Sequence, residues 1–255
     1  MEDGGWGEVA RIAGPSSIRY PPSSPLNRMS DTPPNPDLLR ALGKLVRGLS
    51  ALFWGLPAAL IVCFGTAVLG WFRALSIVPV LVTTGMLLYG LWQFGAFQRQ
   101  ERPWRLALDR ARLVALVNFG LSPFLYWWNK VPENPFFTVV VGMLAVTGLL
   151  FLFNLNLVIS RLGEMLPDET LRQETRQFTS LNRVLLVALL ILVSVYIFLL
   201  QMPSLPTPLL ILLASLQRFS QSTVMLLVLL PLSLTMALLW KTKEVILESV
   251  FNHRG

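Results

Sequence analysis

LLVALLILV, residues Leu185–Val193, is an unbroken run of apolar side chains with no polar residue at any second position. A strand lining a barrel or a half-buried sheet alternates in character from residue to residue, and this run does not. The charge-free stretch around it extends from Val184 to Met202. A hydrocarbon layer of about 30 Å takes roughly 20 helical residues to cross, and inside it every backbone N–H and C=O has to be paired within the helix. The segment therefore predicts a membrane-spanning helix. Five more charge-free apolar runs share its character: Ser50–Trp71, Ile77–Phe97, Leu113–Trp128, Phe136–Ile159 and Thr223–Trp240. Together they predict an all-α, polytopic integral membrane protein, a six-transmembrane-helix bundle. The composition agrees, because the chain is 54% hydrophobic and only 14% charged, whereas soluble domains carry about 25% charged residues.

Orientation follows from the cations. Of the 21 Lys and Arg residues, 18 fall in the first, third, fifth and last of the segments that flank these runs; Arg73, Lys130 and Arg218 alone occupy the others. Positively charged segments stay on the cytoplasmic side, so both termini are expected there. The net charge of +7 then reads as an orientation signal, and a nucleic-acid partner is not expected. Tryptophans mark the two interfaces: Trp71, Trp127 and Trp128 at the outer one, and Trp54, Trp92, Trp104 and Trp240 at the inner one.

Outside the spans, residues 1–35 are rich in Pro, Ser and Gly and are expected to be disordered. They lack the apolar core of a signal peptide, and Met29 reads as an alternative start of the natural product. From Pro36 to Leu49 an amphipathic helix is expected. Leu38, Leu42, Leu45 and Leu49 form one stripe and Arg40, Lys44 and Arg47 the opposite one. Such a helix is expected to lie in the cytoplasmic interface, its cations on anionic headgroups, before the chain turns into the first span.

Between the second and third runs, Pro103 can open a helix in which Trp104, Leu108 and Ala111 share a face and Arg105 pairs with Asp109. Arg102 and Arg105 there are candidate headgroup contacts, since the guanidinium fork matches phosphate. The connection 160–183 is expected to carry the fifth span out into water as helix, with a solvated charged face. The piece 209–216 is too short to cross and reads as interfacial or re-entrant, and residues 241–255 read as a cytoplasmic tail.

Within the spans, the polar groups singled out are the amides Gln93, Asn118, Asn154 and Asn156, which are expected to turn toward other helices rather than lipid. Pro123 and Pro231 are expected to kink or interrupt the third and sixth spans. The spans hold no carboxylate or histidine of the kind proton-coupled transport uses. Cys63 is the only cysteine and His253 the only histidine, and no catalytic, cofactor-binding or metal-ligating spacing emerges. The sequence thus reads as a non-enzymatic scaffold, assembly or regulatory subunit of a bacterial cytoplasmic membrane, with the lipid bilayer, a membrane-protein partner or a second copy as company. The alternative is a small uncoupled transporter or channel.

Overall fold

The computed structural model describes residues 36–69, 76–97, 101–131, 133–165, 169–200 and 228–248. Nearly all of these are helical, and no strand occurs among them. Helix α1 (Pro36–Phe64) ends in a π-helical turn, Gly65–Leu69, and α2 (Val78–Gln93) ends in a 3₁₀ turn, Phe94–Ala96. Then come α3 (Arg102–Leu121), α4 (Phe124–Lys130), α5 (Pro135–Met165) and α6 (Glu169–Leu200). The last described helix is α7, residues 228–248. Three of these helices, α1 over Arg40–Ala67, α5 over Pro135–Met165 and α6 over Arg176–Leu199, are long and apolar enough to cross a membrane.

The pairs α1–α2, α2–α3 and α5–α6 run antiparallel. Gly48 of α1 lies against Gly90 and Phe94 of α2, and Gly55 against Leu87. Arg112 of α3 reaches the end of α2 while Ser122, near the other end, meets Thr84. Asn156 of α5 meets Thr179 of α6, and Gly142 meets Ile197. Phe53 of α1 packs against Trp240 of α7. Small residues make these approaches close. Ala107, Ala111 and Ala115, one per helical turn, lie on the buried face of α3 with Trp104 and Leu108, a spacing that lets backbones come together. Larger side chains fill the centre: Leu45, Leu49 and Leu52 from α1, Leu91 and Phe94 from α2, and Leu155, Ile159 and Leu162 from α5.

Helix α6 shows the pattern most plainly. Its inward face is Thr179, Asn182, Leu186 and Leu189, whereas Leu181, Val184, Ile191, Val195 and Phe198 point outward, Val184 at 67% exposure and Ile191 at 59%. Thr179 and Asn182 thus share the buried face with two leucines, while large apolar side chains cover the outer one.

Several expectations need correction. The chain does not turn after Leu49, because α1 is one helix of 29 residues through that point. Its leucine stripe is not spread on a lipid surface either: Leu45 and Leu49 are buried in the protein core. No helix breaker separates Leu49 from Ser50, and the shared Gly48–Gly90 contact draws the stripe onto α2. Trp104 is not an interfacial anchor. It is 1% exposed and packs against Phe94 and Phe97, because it falls on the same helical face as the buried Leu108 and Ala111. Asp109 pairs with Arg112 at 3.5 Å rather than with Arg105. Residues 241–248 are helix, not tail; Leu238, Leu239, Thr242 and Ile246 keep one buried face past the charged Lys241.

Of the two prolines, Pro123 interrupts: α3 ends at Leu121 and α4 begins at Phe124. Pro231 does not, since α7 is helical on both sides of it. The expectations for residues 1–35, 209–216 and 249–255 lie outside the described residues.

Candidate functional site: a buried polar junction of three helices

Asn156 of α5, Thr179 and Asn182 of α6 and Thr235 of α7 are all buried, and they pair across helices, Asn156 with Thr179 and Asn182 with Thr235. Thr179 and Asn182 are three residues apart, hence on one face of α6. Thr235 donates its hydroxyl proton to the carbonyl of Pro231 at 2.7 Å. Its oxygen can then only accept, and Asn182 donates to it from Nδ2 at 3.0 Å. Asn156 donates from Nδ2 to the carbonyl oxygen of Thr179 at 3.4 Å, and a carbonyl can only accept. Both amide orientations are thereby fixed by their partners' chemistry, and neither can be flipped without losing a bond.

That orientation leaves three oxygens of the junction unpaired: Asn156 Oδ1, Asn182 Oδ1 and Thr179 Oγ1. An orphaned buried polar atom costs about 1–3 kcal/mol. Three together rival a sizeable part of a domain's net stability, which is only about 5–15 kcal/mol. Such a cluster is either a site or a specificity device, and it holds three of the four orphaned buried side-chain atoms among the described residues.

A second junction joins α3 to α5. Asn118 donates from Nδ2 to the Thr147 carbonyl at 3.2 Å, while the Thr147 hydroxyl reaches Asn118 Oδ1 at 2.6 Å. Here every polar atom finds a partner. Next to the α3–α4 break, the Thr84 hydroxyl lies 3.3 Å from that of Ser122, and Asn129 of α4 donates to the carbonyl of Ala67 in the π-helical turn at 3.3 Å.

Arg112 closes the far end of α2. Its guanidinium donates to the carbonyls of Leu91 at 3.3 Å and Trp92 at 3.2 Å and stacks 5.6 Å from the centre of the Trp92 ring. Positive charge is favoured at a helix C-terminus, where carbonyls lack intrahelical partners. Partial burial lowers the guanidinium's pKa from its ordinary value, and Asp109 opposes that shift. Gly95 leaves room for it, since a Cβ there would collide with Arg112 Nη2.

Comparison with protein-family models, curated proteins and solved structures gives no match.

Of the amides singled out in the sequence, Asn118 and Asn156 bond across helices, Asn154 donates to Leu150 within its own helix at 2.7 Å, and Gln93 is half-buried at the end of α2. Arg40, Lys44, Arg47, Arg102 and Arg105 are all exposed, three on the first turns of α1 and two on the first turn of α3. A shallow cavity of about 250 Å³ lies between Glu101, Pro103, Arg161, Glu164 and Met165, where Arg161 and Glu164 pair at 2.8 Å. Among the described residues no group of three or more His, Cys, Asp and Glu is placed to hold a metal ion.

The sequence reading missed Thr179, Asn182, Thr235, Thr147 and the capping role of Arg112. Drawing the fifth span from Val184 put Thr179 and Asn182 into a connection, because Arg183 looked like a boundary. The spacing Thr179, Asn182, Leu186, Leu189, Val193 was the available signal, since it traces a single helical face through the charged position.

Proposed function

We propose that this chain is a polytopic integral membrane protein of six transmembrane helices, both termini on the cytoplasmic side of a bacterial cytoplasmic membrane, acting as a non-enzymatic scaffold, assembly or regulatory subunit. One observation carries the reading: the exposed apolar face of α6, where Val184, Ile191, Val195 and Phe198 point outward while Thr179 and Asn182 are turned inward. Water would penalise that arrangement and hydrocarbon or a partner helix favours it. The antiparallel order of neighbouring helices supports an up-and-down passage, and α3 with α4 supplies a spanning element that breaks at Pro123. The exposed Arg40, Lys44, Arg47, Arg102 and Arg105 fit anionic headgroups at the inner surface.

A second reading, an uncoupled transporter or channel, draws on the buried junction around Asn156, on the π-helical turn Gly65–Leu69 and on the helix interruption at Ser122–Pro123. Unwound or π-helical segments commonly accompany such sites. Copurification in mild detergent separates the two. A stoichiometric partner supports the scaffold; solute flux through the purified chain in liposomes, without a partner, overturns it. Topology is tested with single cysteines in a Cys63→Ser background. One at Lys130 should react with an impermeant thiol reagent outside intact cells and one at Gln173 should not; reaction at Gln173 refutes the orientation.

A further inference from the structure

We propose that the junction of Asn156, Thr179, Asn182 and Thr235 is a binding site for a single water molecule, which bridges α5 and α6 inside the bundle. The inference stands whichever functional reading holds. Two amide oxygens and one hydroxyl are unpaired there, all on side chains no more than 3% exposed. Asn156 already touches the backbone of Thr179, and Asn182 follows Thr179 by one turn on the same face, so the three side chains lie within about one helical turn of one another.

Their chemistry selects the guest. Asn156 Oδ1 and Asn182 Oδ1 can only accept, and their orientations are held by Thr179 and Thr235. The Thr179 hydroxyl can donate. A guest that gives two protons and takes one satisfies all three, and a buried water makes about three such bonds. A dehydrated sodium or potassium ion would also meet the two amide oxygens. All four side chains are neutral, however, so its charge would be buried without compensation, a heavier penalty than the site relieves. No direct amide-to-amide bond forms, since both Oδ1 atoms are without a partner.

A bridging water makes the three oxygens one unit, and that gives the test its form. In full-length protein in detergent micelles, Asn156→Leu, Thr179→Val and Asn182→Leu should each lower the unfolding midpoint by about 4 °C or more, since each strands the remaining members. The triple variant, which removes the need for the guest, should recover most of that loss rather than summing it. The side-chain amides of Asn156 and Asn182 should show magnetisation transfer from a slowly exchanging water, absent in Thr179→Val. Midpoints in NaCl, KCl and choline chloride should coincide. Additive losses, or amides without a water contact, overturn the proposal. A midpoint raised by sodium or potassium alone, and only while Asn156 is present, overturns it in favour of a cation.

Discussion

Replacing Gly48 by alanine should destabilise the bundle while the same change at Gly43, five residues earlier on α1, should stabilise it. An added Cβ at Gly48 would stand 2.7 Å from the Gly90 carbonyl oxygen and 2.8 Å from the Phe94 ring. Ordinary contact begins near 3.4 Å, so α1 and α2 must separate by about 0.7 Å at their closest approach. The obstacle is backbone, which cannot swing aside as a side-chain tip can. Overpacking of this kind costs about 1–3 kcal/mol. At Gly43 an added Cβ meets nothing within 4 Å, and exchanging glycine for alanine in a helix interior contributes about 1 kcal/mol of stability. Both sites gain that propensity term, so it cancels in the comparison. The difference between the two variants isolates the collision, with an expected size of about 1–3 kcal/mol. Reversible unfolding in mixed detergent micelles, followed by circular dichroism, measures it. Two variants that stabilise equally, to within about 0.5 kcal/mol, would show that α1 and α2 do not meet at Gly48 and Gly90.

At the end of α2, Arg112→Met should cost about 1.5–3 kcal/mol through the lost charged hydrogen bonds to Leu91 and Trp92. Asp109→Asn should change unfolding by less than about 1 kcal/mol, because Asp109 is exposed; the same denaturation series ranks the two. For the α3–α5 junction, a double-mutant cycle of Asn118→Ala and Thr147→Val should return a coupling near 0.6 kcal/mol, the usual scale for hydrogen bonds between helices in lipid, and a zero coupling would break the assigned pair.

How much was legible can be judged from particular residues. The helical class and the interruption at Pro123 were present in the chain itself, because apolar length and a missing N–H act on the segment that carries them. The apolar stripe Leu42, Leu45, Leu49 was legible as a stripe but not as a contact. Periodicity says which residues share a face and is silent on whether lipid or protein covers it. Trp104 failed for the same reason: an amphipathic ring suits an interface and a core equally well. The extent of α7 past Lys241 escaped because a charge was taken for an end, although the buried spacing of Leu239, Thr242 and Ile246 continues through it.

The candidate site was only half visible. Asn156 stood out because an amide inside an apolar run is costly wherever it points. Thr179 and Thr235 did not, since a helical threonine can satisfy itself on the preceding turn, as Thr235 does on Pro231. Which hydroxyl is committed and which is left over depends on what the neighbouring helices present.

By itself, then, the sequence determined the helical class and which segments are long and apolar, because hydropathy and hydrogen-bond closure are properties of a segment. Tertiary structure alone decided that α1 continues unbroken through Leu49, that Arg112 caps α2, and that Asn156, Thr179, Asn182 and Thr235 converge with three oxygens unpaired. Those are relations between helices, and they arise from where glycines and alanines let backbones approach, a pairing that no single segment encodes.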